Sequence, residues 1–232
     1  MSESERLYKI LNEDGSCYHG GQGQWHLPTA DGPGEWMPAI RGALDPCRNG
    51  YHLCRASDLV NWIGPAIFIA EYDGDRVDVN DTDESKVVVR RARLVSRVEN
   101  WDAQVARLFA CDCAERALNR ERERGREPDP RSWESIAVAR RFARGEATQE
   151  ELAAAWDAAW DAARAAARAA AGDAARAAAW DAARDAARAA AWDAARAAAW
   201  DAAGDAARDA ERQWQSKRLY WYLAGQPLER AS

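Results

Sequence analysis

Residues 66–95 read AIFIAEYDGDRVDVNDTDESKVVVRRARLV, and this stretch decides the fold of the N-terminal part of the chain. Its two ends, 66–72 and 86–95, are rich in β-branched residues, which favour strands. The acidic residues between them, 73–84, predict a solvated loop. We therefore expect a strand-rich head over residues 1–100.

The residues on either side of this stretch extend the same pattern. Residues 6–12 alternate in polarity, and Glu13-Asp14-Gly15 is a turn signal, so residues 16–19 are expected to return as the second strand of a hairpin. Glycines at 20, 21 and 23 indicate a loop after it. Residues 51–54 follow an Asn-Gly turn and predict another short strand.

Helical spacing replaces the strand pattern after residue 100. Trp101, Val105, Leu108 and Phe109 recur at the period of a helix. Asp129 followed by a proline predicts the start of a second helix, with aspartate as the N-cap and proline at the first helical position. We expect a pair of amphipathic helices over residues 101–147.

A repeat of four residues dominates the C-terminal part from Trp156 onward. Its leading position holds Trp, Arg or Gly, its second Asp or Ala, and its last two are nearly always Ala. Alanine has the highest helix propensity and arginine is close behind, and Thr148 with Glu151 fits a capping box. We expect one long helix over 148–225, about 110 Å at 1.5 Å per residue, and a tail over 226–232.

Two other interpretations of the repeat stay open. The helix could break at Gly172 and Gly204 into an antiparallel hairpin bundle. The repeat could also be a slipped GC-rich DNA sequence that drifted by point mutation, because Trp, Arg and Gly codons can differ in their first base alone. In that case the tryptophan face would not be selected.

At about 100° per residue, most tryptophans of the arm fall near one side of a straight helix, and Trp180 breaks the pattern. A tryptophan can bury about 150–250 Å², so an exposed row of them favours a partner surface. We predict self-association through six residues: Trp156, Trp160, Trp192, Trp200, Trp214 and Trp221.

Composition excludes several classes of partner. The net charge of −6 lacks the basic excess that drives binding to phosphate backbones, so nucleic acid is not expected. No apolar run is long enough for a membrane span. The residues at 1–6 are polar and unlike a secretory signal, and five cysteines is an odd number, so we expect reduced thiols in a cytoplasm.

No cofactor is expected, and one candidate metal set exists. Cys47, His52 and Cys54 are residue types that ligate zinc. If 51–54 is a strand, His52 and Cys54 share one face. The alternative is a small buried cysteine and a hydrogen-bonded histidine, and we favour no metal.

The head also resembles a known kind of domain. Residues 47–54, Cys-Arg-Asn-Gly-Tyr-His-Leu-Cys, match the pattern C-x-x-G-[FY]-H-x-C of an uncharacterised domain common in phage and bacterial genomes. Residues 104–154 are similar to a stretch that precedes Ala-rich repeats in other uncharacterised bacterial proteins. The resemblance covers about 6–154, implies a phage or bacterial origin, and carries no catalytic residues.

These observations predict an α+β protein with a small strand-rich head, two amphipathic helices and a long Ala-rich helix. We expect a non-enzymatic binding or assembly protein, whose head docks to a protein partner and whose arm is a spacer or a self-association surface. One alternative is an ADP-ribosyltransferase-like enzyme that uses NAD, with Tyr51, His52 and Glu71 as site residues. Another is a phage inhibitor of a host defence factor.

Overall fold

The computed structural model describes residues 6–21, 23–80, 85–161 and 207–225. Over these ranges the protein is α+β, with four antiparallel strands followed by helices, and the expected fold class is confirmed at that level. Most of the tetrad repeat, residues 162–206, lies outside the described residues. The single long helix over 148–225 therefore stays a prediction, as do its breaks at Gly172 and Gly204.

Four strands form the sheet of the head: β1 (Leu7–Leu11), β2 (Tyr51–Arg55), β3 (Ala66–Val79) and β4 (Lys86–Arg97). β3 and β4 pair with each other, β1 pairs with β2 and β3, and β2 pairs with β4. The strands therefore close on themselves in the order β1–β2–β4–β3.

β3 is longer than the sequence pattern predicted, because residues 73–79 of the expected acidic loop belong to it. Opposite charges explain the difference. Asp73 lies opposite Arg91 in the register of β3 and β4, and Asp75 pairs with Arg90 at 2.8 Å. Paired charges of opposite sign stabilise neighbouring strands, so a stretch that reads as a solvated loop continues the ladder.

The expected hairpin at the start of the chain is also corrected. Residues 16–19 form no strand, and what remains is two isolated bridges, Leu11 to Cys17 and Ser16 to Gln24. Glycines weaken strand pairing, and three of them follow this stretch. β1 pairs instead with β2 and β3, which are far away in the sequence.

Alternate residues of each strand point to the same side of the sheet. The inward-pointing residues are mostly apolar, so the interior of the closed sheet is apolar. It is filled by aliphatic side chains from all four strands together with Trp25, Met37 and Phe68. Leu7 and Leu11 belong to this interior. Lys9 lies between them in the sequence, so its position on β1 belongs to the same face.

The chain divides into two compact units, Met1–Ala106 with Trp214–Ser232, and Arg107–Gln213. The predicted domain boundaries stay a prediction, and the described residues after 213 belong to the same unit as the head. In the first unit, a 3₁₀ helix (Ala56–Asn61) follows β2. Helical residues 214–223 bury Leu219 and Tyr222 there.

The second unit contains most of α1 (Ala103–Glu123) and all of α2 (Pro130–Ala143). The start of α2 follows the sequence expectation, since the Asp129 side chain accepts a hydrogen bond from the Arg131 backbone and proline opens the helix. Arg140 of α2 binds Asp112 of α1 at 2.7 Å. Arg122 lies over the ring of Trp133 at 5.4 Å, so the two helices run antiparallel.

The described ends of the repeat are helical at 149–161 and 207–223. The predicted capping box is confirmed, because Thr148 and Glu151 exchange hydrogen bonds of 2.7 and 3.1 Å between side chain and backbone. None of the described helices is long and apolar enough to cross a membrane.

Candidate functional site in the head

A cavity of about 380 Å³ opens beside β1 and β2. The register of these strands includes two paired positions, Leu7 with Arg55 and Tyr8 with Cys54, and both Tyr8 and Cys54 line the cavity. Its walls combine basic, thiol and aromatic side chains with two glycines: Tyr8, Lys9, Ile10, His19, Gly20, Gly21, Cys47, His52, Leu53, Cys54, Trp62 and Lys86.

The entry into β2 depends on Gly50. Its φ of +147° is a conformation that L side chains rarely adopt, and a Cβ there would lie 2.3 Å from Cγ1 of Val88. Two residues later His52 pairs with that same Val88 in the register of β2 and β4. The glycine thus lets the chain enter the strand that carries His52 and Cys54.

Lys9 brings a cation to the cavity from the interior face of β1. Its Nζ donates a hydrogen bond of 3.1 Å to the backbone oxygen of His52 and lies 5.1 Å from the centroid of the Trp25 ring. Burial lowers the pKa of Lys9, although charge on Cys17 and Cys54 acts in the opposite direction. A buried ammonium without a carboxylate is costly, and no carboxylate lines the cavity among the described residues.

Lys86 approaches the cavity from β4 and is buried. Its Nζ lies 3.0 Å from Sγ of Cys47 and 5.5 Å from the centroid of the Trp62 ring. Trp62 is held by a hydrogen bond of 2.8 Å from its indole to the Ser85 oxygen. His19 packs edge-on against that indole, with ring centroids 5.4 Å apart.

His52 connects β2 to the loop that carries Cys47. Its Nε2 accepts a hydrogen bond of 3.0 Å from the Cys47 backbone N–H. Burial, together with the charges of Lys9 and Lys86, lowers the pKa of His52 to about 4. The ring is therefore neutral at ordinary pH, with Nε2 as the acceptor and the proton on Nδ1.

The residues of the alternative NAD-using site do not come together. His52 lines the cavity, whereas Tyr51 packs against the interior and donates to the Pro38 oxygen at 2.8 Å. Glu71 pairs with Arg93 on the β3–β4 ladder. Neither Tyr51 nor Glu71 lines the cavity.

The candidate metal ligands Cys47, His52 and Cys54 do all line the cavity. However, Nε2 of His52 is occupied by the Cys47 amide, and burial raises the pKa of Cys54, which disfavours the thiolate that zinc needs. The described residues contain no group of three or more His, Cys, Asp or Glu side chains arranged to hold a metal ion.

Four of the six predicted self-association residues fall within the described ranges. Trp156 and Trp160 are 64% and 53% exposed, and their rings stack with centroids 6.1 Å apart at 20°. Trp214 and Trp221 are half-buried. Trp192 and Trp200 lie outside the described residues.

Sequence reasoning missed Lys9 and Lys86 as site residues. The signal for Lys9 was present, since a lysine that alternates with two leucines in LYKIL occupies an interior position of the strand. Lys86 begins β4, and its contact with Cys47 had no local signal because the two residues are 39 apart in the sequence.

The chain matches no protein-family model, no curated protein and no solved structure. The geometry of the described residues is therefore the basis for any functional assignment.

Proposed function

We propose that this chain is a non-enzymatic binding and assembly protein. In this proposal the arm associates with a second copy of the chain, and the head binds an anionic group in its cavity. The observation that carries the assembly role is the exposed, stacked pair of Trp156 and Trp160.

At 64% and 53% exposure the two adjacent indoles keep a large apolar area accessible to solvent, and exposed apolar patches favour interaction sites. A second copy fits this patch because the same repeat position carries arginine, for example at 164 and 168. Arginine over an indole is favourable. The chain already uses this contact, with Arg218 at 4.3 Å over Trp221 and Arg93 at 4.7 Å over Trp36.

The test is sedimentation velocity over a wide range of protein concentration. We expect the native protein to associate and the double variant Trp156→Ala, Trp160→Ala to stay monomeric, since alanine preserves the helix. The matched control is Asp157→Ala, which changes the same turn of the helix and keeps both indoles. A native protein that is monomeric throughout, or a tryptophan variant that associates equally well, would contradict the assembly role.

The binding role of the head is supported by the cation of Lys9 at a cavity whose described lining holds no carboxylate. An anion there would keep the ammonium charged despite its burial. The chain is acidic overall, so a cationic cavity is a local feature rather than a consequence of composition.

Isothermal titration with inorganic phosphate and with succinate, at constant ionic strength, tests this role. We expect saturable binding of at least one anion, lost in Lys9→Met and kept in the surface control Lys217→Met. No saturable binding of either anion, or equal binding by Lys9→Met, would overturn the binding role and leave the assembly role untouched.

A further inference from the structure

We propose that Cys47 is a nucleophilic thiol that exchanges with small anionic disulfides at the mouth of the head cavity. This inference adds a reaction to the proposed function and rests on the anionic preference of the same cavity, but not on self-association.

Exposure separates Cys47 from the other thiols. All five cysteines fall within the described ranges, and Cys47 alone is exposed. Cys54 and Cys111 are buried, and burial raises the pKa of both, which disfavours their reactive thiolate form. Cys17 and Cys113 are partly exposed.

The ammonium of Lys86 distinguishes Cys47 chemically. Reactive cysteines lie beside a cation in partly exposed sites. Lys86 is buried and its Nζ lies 3.0 Å from Sγ. Lys86 has other contacts as well, and its short distance to sulfur is what sets Cys47 apart from the other thiols.

The backbone at Cys47 has an unusual conformation. Among the described residues it is the one non-glycine with a positive φ, +66°, a conformation that costs free energy and recurs at functional sites. Neutral His52 binds its backbone N–H at 3.0 Å. His52 is thus a positioning residue, which fixes the loop so that sulfur faces both Lys86 and the cavity.

The cavity selects the chemical class of the substrate. Lys9 and Lys86 supply positive charge, Trp62 supplies an aromatic wall, and no carboxylate lines it among the described residues. A small disulfide that carries carboxylates satisfies both features. In the exchange the thiolate of Cys47 attacks one sulfur of the disulfide, a new S–S bond forms, the old one breaks, and the other half leaves as a thiolate.

Ellman's reagent, a dianionic aromatic disulfide, is the probe, and neutral dithiodipyridine is its uncharged counterpart. With the native protein we expect one fast phase of thiolate release, mapped to Cys47 by peptide mass and absent in Cys47→Ser. Lys86→Met should slow both reagents about tenfold, since it removes the cation beside sulfur. Lys9→Met should slow the anionic reagent alone, and Lys217→Met neither.

A fast phase that maps to Cys17 or Cys113, or a Lys86→Met protein as reactive as the native one, would overturn the proposal. Should Lys86→Met fail to fold, the native protein is compared with itself in urea, where all five thiols are equivalent. Cys47 must then react faster in the folded state. If Lys9→Met slowed both reagents equally, the anionic preference would be refuted, while Cys47 would remain the nucleophile. If neither phosphate nor succinate bound, that result would count against the proposed binding role alone.

Discussion

The carboxylate of Glu211 accepts hydrogen bonds from Arg116 at 2.9 Å and from Arg120 at 2.8 Å. This ties one described end of the repeat to α1. At the other end, the charge of Asp161 acts on Arg131 of α2. The pKa of Arg131 is raised first by the hydrogen bond and charge of Asp129 and further by the charge of Asp161. Glu211 thus binds one helix of the pair, and Asp161 acts on the other through its charge.

The distance between these ends can be measured directly. Spin labels at positions 157 and 209, both in described helices, would be about 78 Å apart on one straight helix, at 1.5 Å per residue. The contacts of Glu211 with Arg116 and Arg120 lead us to expect a distance near or below the length of α1, about 32 Å by the same rise, which would overturn the single straight helix expected from the sequence. Labels at 150 and 161, within one helix, provide the control at about 17 Å. A distance near 78 Å would show that the contact of Glu211 with Arg116 is absent in solution.

Two carboxylates, the buried one of Asp112 and the exposed one of Glu115, bind Arg140, and we expect Asp112 to contribute more to the free energy of unfolding. Arg140 binds Asp112, whose side chain is 7% exposed, and Glu115, whose side chain is 43% exposed. Asp112→Ala should lower the free energy of unfolding by about 2–3 kcal/mol, because it removes a charged hydrogen bond from a buried site. Glu115→Ala should cost about 0–1 kcal/mol. Urea unfolding followed by the helical circular dichroism signal distinguishes them, and equal losses would contradict the prediction.

The head is expected to lose stability in mild acid through His52. Burial and the charges of two lysines lower the pKa of the folded histidine to about 4, while the unfolded chain takes the proton near pH 6.5. Between these values the unfolded state binds more protons, so the free energy of unfolding falls as pH falls. From pH 7 to pH 5 the loss is at most about 2 kcal/mol, and solvent screening of the part-exposed ring reduces it.

His52→Gln separates this effect from the titration of carboxylates, since glutamine can still accept from the Cys47 amide. Denaturation in urea at both pH values should show a smaller difference for the variant than for the native protein. If the two proteins lose stability in parallel, another group is responsible.

Gly50 and Gly32 form a natural pair for testing the entry into β2. Their φ angles are +147° and +148°, so alanine strains both backbones alike. A Cβ at Gly50 would lie 2.3 Å from Val88, whereas nothing lies within 4 Å of one at Gly32. Gly50→Ala should therefore lower the melting temperature more, with an excess cost of about 1–3 kcal/mol from overpacking. Comparable melting temperatures for the two variants would show that Val88 can move away from the added Cβ at little cost in free energy.

Local signals in the sequence predicted much of the fold. The capping box at Thr148, the N-cap at Asp129 and the strands at 51–54 and 86–95 depend on neighbouring residues, and the structure has each of them. The length of β3 was underestimated, because its outer half depends on charges of β4. The predicted hairpin after β1 was wrong because the partners of β1 are distant in the sequence, and a local pattern cannot show them.

The site could be predicted only in part. The motif around 47–54 drew attention to His52 and Cys54, and both line the cavity. What the sequence could not show is the contact between Lys86 and Cys47 or the neutral state of His52. Both features depend on the closure of the sheet, which brings β4 and the loop before β2 together.

The position of β1 has a consequence for how the head folds. This strand precedes its partners, residues 54–55 and 66–70, by roughly fifty to sixty residues in the chain. The β3–β4 ladder joins residues much closer in the chain and therefore has the lower loop-closure cost. We expect that ladder to nucleate folding and β1 to dock last. Lys9, which β1 carries, would then reach the cavity only in this late step.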